Sequence, residues 1–254
     1  MNSLEGKIVL LTGASGGIGS PTAAALGTAG ASVIAHYNTH QDGALQATAA
    51  IPDDRKLLLH ADFTTVGAGR RLWAEAVAWH GRIDVLINNA ALMLSTDMDT
   101  DDDDWDSTWP KIFQVNVFEP ASLIREAVHH YRDSGGGIII SLSSWAAQQG
   151  SAIPQLTAYA STKAAIKAIT QTVARSNGRD DILTYVLAPG IVRTAMSSLS
   201  ASTRGGEDAL KAILPLGEMV PPTEVADLIT FLSSGTCRHL SGATIDINGA
   251  AYVR

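Results

Sequence analysis

Lys7-Ile8-Val9-Leu10-Leu11-Thr12-Gly13-Ala14-Ser15-Gly16-Gly17-Ile18-Gly19 is an apolar strand running into a glycine-rich turn, and the residues from there to Ala35 read as a helix and a second strand. The glycines stand where a chain leaving a strand must bend tightly, expose backbone N–H groups and let a helix begin close to a bound phosphate. A Cβ at Gly13 or Gly19 obstructs that approach. The spacing is G-x-x-x-G-x-G and not the G-x-G-x-x-G of the common dinucleotide fingerprint, so the flanking strand, helix and strand carry the reading. The alternative is a glycine-rich loop that only closes a turn. Pro21 fits the first helical turn, where its missing N–H costs nothing.

Outward from this unit, strand-like apolar runs recur at 33–36, 57–61, 83–88, 138–143, 182–188 and 244–248, with helix-length segments between them. Near-continuous apolar strands alternating with amphipathic helices predict an α/β fold, a doubly wound parallel sheet of about seven strands covered by helices on both faces. Ligands of such sheets sit beyond the carboxyl ends of the strands. No repeat or linker interrupts the chain, so 1–254 is read as one domain whose 46% hydrophobic residues supply the core.

The net charge of −7 argues against nucleic acid or an anionic membrane as a partner and favours a small molecule. The N-terminus enters the first strand with no signal-peptide core and no apolar span of about 18 residues, which predicts a cytoplasmic protein. Cys237 is the only cysteine and the seven histidines are scattered, so neither a disulfide nor a metal site is expected. The acidic run 97–104 begins like a calcium loop. Its sixth and twelfth positions hold Asp102 and Thr108 where glycine and glutamate are needed, leaving a solvated loop whose acids favour the start of the next helix. Trp105 and Trp109, four apart, are expected on one helical face.

Tyr159-Ala160-Ser161-Thr162-Lys163 places a phenol beside an ammonium on one helix face. Nearby positive charge favours the phenolate, so such a pair can transfer protons.

At these residues the chain resembles the short-chain dehydrogenases/reductases, over nearly its whole length. Thr12 to Gly19 matches the family's T-G-x-x-x-G-x-G cofactor turn, Asp62 its adenine-side acid, and Asn88-Asn89-Ala90-Ala91 its N-N-A-G segment. Asn116 matches the asparagine of the fourth long helix, Leu142-Ser143-Ser144 the strand end bearing the catalytic serine, Tyr159 to Lys163 the Y-x-x-x-K, and Pro189-Gly190 with Thr194 the nicotinamide-side loop. The resemblance implies hydride transfer between a nicotinamide and a carbonyl or alcohol carbon. It assigns proton transfer to Tyr159, and to Lys163 a lowering of the tyrosine's pKa and a bond to the nicotinamide ribose. Ser144 would polarise the substrate oxygen, and Asn116 would anchor a water in the relay. Ser143 is the other candidate serine, since successive strand residues face opposite sides. The cofactor contacts it implies are Gly13, Ser15, Gly17, Ile18, Gly19, Tyr37, Asn38, Asp62, Phe63, Asn89, Ala90, Tyr159, Lys163, Pro189, Gly190, Val192 and Thr194.

The end of the second strand carries Tyr37-Asn38-Thr39 and no carboxylate to repel a 2′-phosphate, which favours NADP(H) over NAD(H), although the pairing arginine is missing too. In a rival reading Tyr37 merely covers the adenine edge. Ala250 departs from the family where a second glycine is common. The segment 195–220 is expected to fold over the substrate, with Gly205-Gly206 as hinge. Without a basic docking patch, a small ketone, sugar or hydroxy compound ranks above a 3-oxoacyl thioester on an acidic carrier. A catalytically silent NAD(P)-binding regulator is the alternative of another class. Relatives commonly form tetramers through their fourth and fifth long helices, here about 103–134 and 158–177, so a homotetramer is expected.

Overall fold

The computed structural model describes residues 3–197 and 206–253. Seven parallel strands, β1 (Ile8–Leu11), β2 (Ser32–Tyr37), β3 (Lys56–His60), β4 (Val85–Asn88), β5 (Gly137–Leu142), β6 (Ile182–Pro189) and β7 (Thr244–Ile247), form one sheet in the order β3-β2-β1-β4-β5-β6-β7. Each lies within about two residues of the run expected from sequence. The direction of winding reverses between β1 and β4, which opens a crevice at their carboxyl ends.

The apolar runs are continuous because alternate residues enter two different cores. Val9 and Leu11 pack with the helix α1 (Gly19–Thr28) and the helix Pro222–Ser233, whereas Ile8 and Leu10 pack with α3 (Ala68–His80), α5 (Glu119–Ser134) and α7 (Thr157–Asn177). Small residues let α1 lie close. Gly27 faces the side chain of Ile51 at a distance that leaves no room for a Cβ.

The single helix expected over 103–134 is instead α4 (Asp102–Phe113), a π turn at Gln114–Phe118, and α5. Glu119 N–H bonds the carbonyl of Gln114, five residues back, and Pro120 brings no N–H to the carbonyl of Asn116, four back. The break seats Asn116 and aims Glu119 inward. Glu119, 2% exposed, accepts from Gly67 N at 2.9 Å, Gly69 N at 2.6 Å and Gln114 Nε2 at 2.7 Å, holding the N-terminus of α3 with a carboxylate. Glu119→Ala orphans those buried donors, and urea unfolding is expected to show a loss of about 3 kcal/mol. A loss below about 1 kcal/mol, the scale of an ordinary surface change, would refute this account.

The acidic run divides. Asp101 caps α4 by accepting from Asp104 N, and Trp105 and Trp109 share a helix face as expected, their rings 4.8 Å apart and tilted by 33°. Its start is less free than a solvated loop: Asp97 accepts from Gln155 Nε2 at 3.0 Å and Thr96 N donates to Gln155 O, stitching it to the loop before α7. In the segment expected to fold over the substrate, a bridge between Val192 and Val220 closes the base and Glu207–Ala212 is helical. Gly206 has φ +92°, while Gly205 of the expected hinge lies outside the described residues. Ala250 takes φ +61°, a left-handed conformation that explains glycine's suitability there. Among the described residues no helix is long and apolar enough to cross a membrane.

Candidate active site

The turn after β1 is stapled to the end of β4. Thr12 Oγ1 donates to Ile87 O and accepts from the backbone N–H groups of Asn89 (2.9 Å) and Ala90 (3.0 Å), while Asn89 Nδ2 donates to the carbonyls of Thr12 and Gly13. These bonds draw the two strand ends so close that a Cβ on Gly13, at φ +69°, would stand 2.9 Å from Ala90 Cα. A Cβ on Gly19 would enter the carbonyl of Gly13. The cradle is therefore shaped by missing side chains, the condition for a phosphate to reach backbone N–H groups.

A cavity of about 1380 Å³ opens beside it. Gly13, Ser15, Gly17 and Ile18 line it from the turn, Asn38 and Thr39 from the end of β2, and Asp62 and Phe63 from the end of β3. Asn89 and Ala90 follow β4, and Pro189, Gly190, Val192 and Thr194 follow β6. Asp62 accepts from Thr64 N at 2.9 Å, and the Thr64 hydrogen bonds hold its carboxyl below the usual range. Three expected residues do not line the cavity. Gly19 lies behind the turn, Tyr37 sets its ring on His60 at 5.7 Å, and Asn116 is buried beneath α7. Tyr37 thus gives its ring to the edge strand, a neighbour that local sequence does not specify.

Ser143, Ser144, Tyr159 and Lys163 line the same cavity. The two serines separate by their hydrogen bonds. Ser143 Oγ donates to the carbonyl of Lys163 at 2.7 Å and anchors α7, whereas among the described residues Ser144 Oγ accepts only from Ala146 N, at 3.2 Å. Ser144 therefore keeps its proton free for a ligand oxygen. Lys163, 5% exposed, donates from Nζ to Leu142 O at 2.8 Å and stands 5.6 Å from the centroid of the Tyr159 ring. Burial pushes the Tyr159 phenol up to about 12 and the Lys163 ammonium down to about 8. Desolvation of the phenolate is the dominant cause, so the phenol stands above its ordinary value. At neutral pH the phenol carries its proton and the ammonium is still mostly charged.

Asn116 braces this site. Its Oδ1 accepts from Leu92 N at 2.7 Å, and its Nδ2 donates to Leu92 O at 2.8 Å and to Thr162 Oγ1 at 3.1 Å. Its main-chain carbonyl lacks Pro120 as a helical donor.

Sequence reading missed His36, buried in the wall between turn and adenine-side acid, and the apolar end formed by Leu92, Met93, Ile153 and Leu210. Leu92 and Met93 were findable, since they follow β4 at the carboxyl edge. Trp145 also lines the cavity, and the loop after Ser144 contributes Gln149 and Ser151. Among the described residues no cluster of metal-binding side chains occurs.

Comparison with known proteins agrees with this geometry. A family model described as enoyl-(acyl carrier protein) reductase matches residues 13–250. The hydroxynaphthalene reductase-like protein Arp2 of Metarhizium brunneum is 30% identical over 263 residues, covering 98% of this chain and 96% of its own. A short-chain dehydrogenase/reductase from Serratia marcescens superposes with a TM-score of 0.88 at 26% identity, over 99% of this chain and 100% of its own. A 3-oxoacyl (acyl-carrier-protein) reductase from Agrobacterium tumefaciens, solved with NADP bound, gives 0.87 at 26% identity over 97% and 95%.

Proposed function

The chain belongs to the short-chain dehydrogenase/reductase family and is an NAD(P)-dependent oxidoreductase of carbonyls or alcohols, and from this we infer that the cavity between β1 and β4 reduces a small, uncharged ketone with NADP(H). The observation that carries the reading is that Ser144, Tyr159 and Lys163 line the same cavity as the glycine cradle, with the Lys163 ammonium 5.6 Å from the centroid of the Tyr159 ring. A nicotinamide bound there supplies the hydride or, in the reverse direction, accepts it. Ser144 donates a hydrogen bond to the substrate oxygen, Tyr159 gives that oxygen its proton, and the Lys163 ammonium stabilises the phenolate left behind. A phenol that keeps its proton at neutral pH can fill the acid role. The Asn116 carbonyl anchors a water that returns a proton to the relay.

Asn38, Thr39 and Ser15 line the cavity and the end of β2 carries no carboxylate, which supports NADP(H). The Agrobacterium relative with NADP bound supports the same choice. Against a carrier-bound thioester stands the surface charge. Lys211, beside the cavity-lining Leu210, pairs with Glu207 at 2.8 Å, so this cation is neutralised where an acidic carrier would need it. A fold with one cysteine in 254 residues supports a cytoplasmic setting.

The assay follows absorbance of NADPH and of NADH separately against a panel of ketones and, in reverse, alcohols. Consumption of NADPH at least about tenfold faster than NADH is expected, a difference of about 1.4 kcal/mol. Preference for NADH would overturn the 2′-phosphate reading, and binding without turnover in either direction would favour the silent regulator.

The tetramer reading is supported by a row of rings along α4 and the π turn, Trp105, Trp109, Phe113 and Phe118, whose last member is 54% exposed. Mass measurement in solution is expected to give four copies, and a monomer at micromolar concentration would end this reading.

A further inference from the structure

The imidazole of His36 sits where three strand ends meet. It is 2% exposed, its Nδ1 lies 3.1 Å from Gly13 N and its Nε2 lies 2.9 Å from Ala61 O, and its ring stacks on Phe63 at 4.6 Å with the planes 10° apart. Its own carbonyl accepts from Ala14 N at 2.9 Å. The partners settle the protonation state. Ala61 O can only accept, so Nε2 carries the hydrogen, and Gly13 N–H can only donate, so Nδ1 offers its lone pair. That is the neutral ring in one tautomer, and burial with the nearby charge of His60 pushes its pKa down to about 4.

We propose that His36 is a positioning residue for the adenosine half of the cofactor, a flat two-ended spacer that fixes the glycine-rich turn relative to the Ala61-Asp62-Phe63 segment. The proposal rests on the reading of the cavity as an NADP(H) site. Gly13 contributes its N–H to the spacer and not to a phosphate, so the turn presents its later N–H groups, after Ala14, to the ligand. Asp62, next to Ala61, is placed from the other end of the ring. The residue type follows from the geometry. A rigid ring with an acceptor at one corner and a donor at another bridges two backbones that share no hydrogen-bond ladder, and its flat face accepts the Phe63 ring. Phenylalanine reproduces the shape and loses both bonds, whereas glutamine offers both bonds on a longer, bendable stem.

The test uses 2′,5′-ADP, a fragment that lacks the nicotinamide, in calorimetric titrations of the full chain. His36→Phe is expected to weaken 2′,5′-ADP binding by about tenfold or more, the scale of two lost buried hydrogen bonds, and His36→Gln by no more than about threefold. In steady-state assays the KM for NADPH of His36→Phe should rise far more than kcat falls, a split that general loss of folded protein would not produce. ¹⁵N spectra of the wild-type protein without cofactor should show the Nε2–H tautomer at neutral pH, a readout that stands even if His36→Phe fails to fold. The Nδ1–H tautomer, or unchanged 2′,5′-ADP affinity in folded His36→Phe, overturns the positioning role alone. Failure of the wild-type protein to bind 2′,5′-ADP or NADPH overturns the cofactor reading and this inference with it.

Discussion

Tyr159→Phe is expected to reduce NADPH-dependent ketone turnover by about 10²–10⁴-fold, the contribution typical of a positioned general acid. The substitution removes one oxygen. The ring that Lys163 faces at 5.6 Å remains, and so do the anchors of α7, the bond from Ser143 Oγ to Lys163 O and the bond from Asn116 Nδ2 to Thr162 Oγ1. NADPH affinity and the melting temperature should therefore stay near the wild-type values, with the loss confined to kcat. Ser144 still polarises the carbonyl in this variant, which is why residual turnover is expected above the uncatalysed rate. Retention of more than about a tenth of wild-type kcat would remove Tyr159 from the proton path, because a tenfold loss is only about 1.4 kcal/mol of transition-state stabilisation.

The second large effect is expected at a position outside the cavity. Gly19→Ala drives a Cβ into the carbonyl of Gly13 and within 2.9 Å of Asn89 Nδ2, and neither neighbour can yield. The Gly13 carbonyl accepts from Asn89 Nδ2 at 3.0 Å, and the Gly13 N–H is held by His36 at 3.1 Å. Opening the turn breaks those bonds together, so a destabilisation of roughly 2–4 kcal/mol is expected, lowering the melting temperature by about 5–10 °C. NADPH affinity should fall by at least about 10²-fold, since an opened turn no longer aims its N–H groups. Gly16→Ala is the contrast. Nothing lies within 4 Å of a Cβ there, and the melting temperature of that variant without cofactor should match the wild type. Equal melting of the two variants would show that glycine content, and not the close approach to Gly13, is what the turn requires.

Much of the site was legible because its residues follow strand ends. The apolar runs located β1 to β7, and a parallel doubly wound sheet brings the residues after those runs to one edge. Tyr159 and Lys163 were legible for a more local reason, four residues on a helix being one turn. The choice of Ser144 over Ser143 rested on resemblance alone. It acquires a physical basis only when Ser143 Oγ is found on the carbonyl of Lys163, twenty residues away.

Periodicity and turn chemistry are local properties, and they determined what local chemistry can: the seven strands, the glycine cradle, the Y-x-x-x-K face and the acids at the start of α4. Tertiary structure decided the partners across distance. His36 reaches Gly13 over 23 residues, Glu119 reaches Gly67 and Gly69 over about 50, and Asn116 reaches Thr162 over 46. It also decided that Tyr37 turns to His60, that a π turn interrupts the expected helix, and that burial raises the pKa of the Tyr159 phenol. Each of these depends on which buried groups lie opposite one another and on how much water they lose. Neither quantity exists until the sheet has assembled.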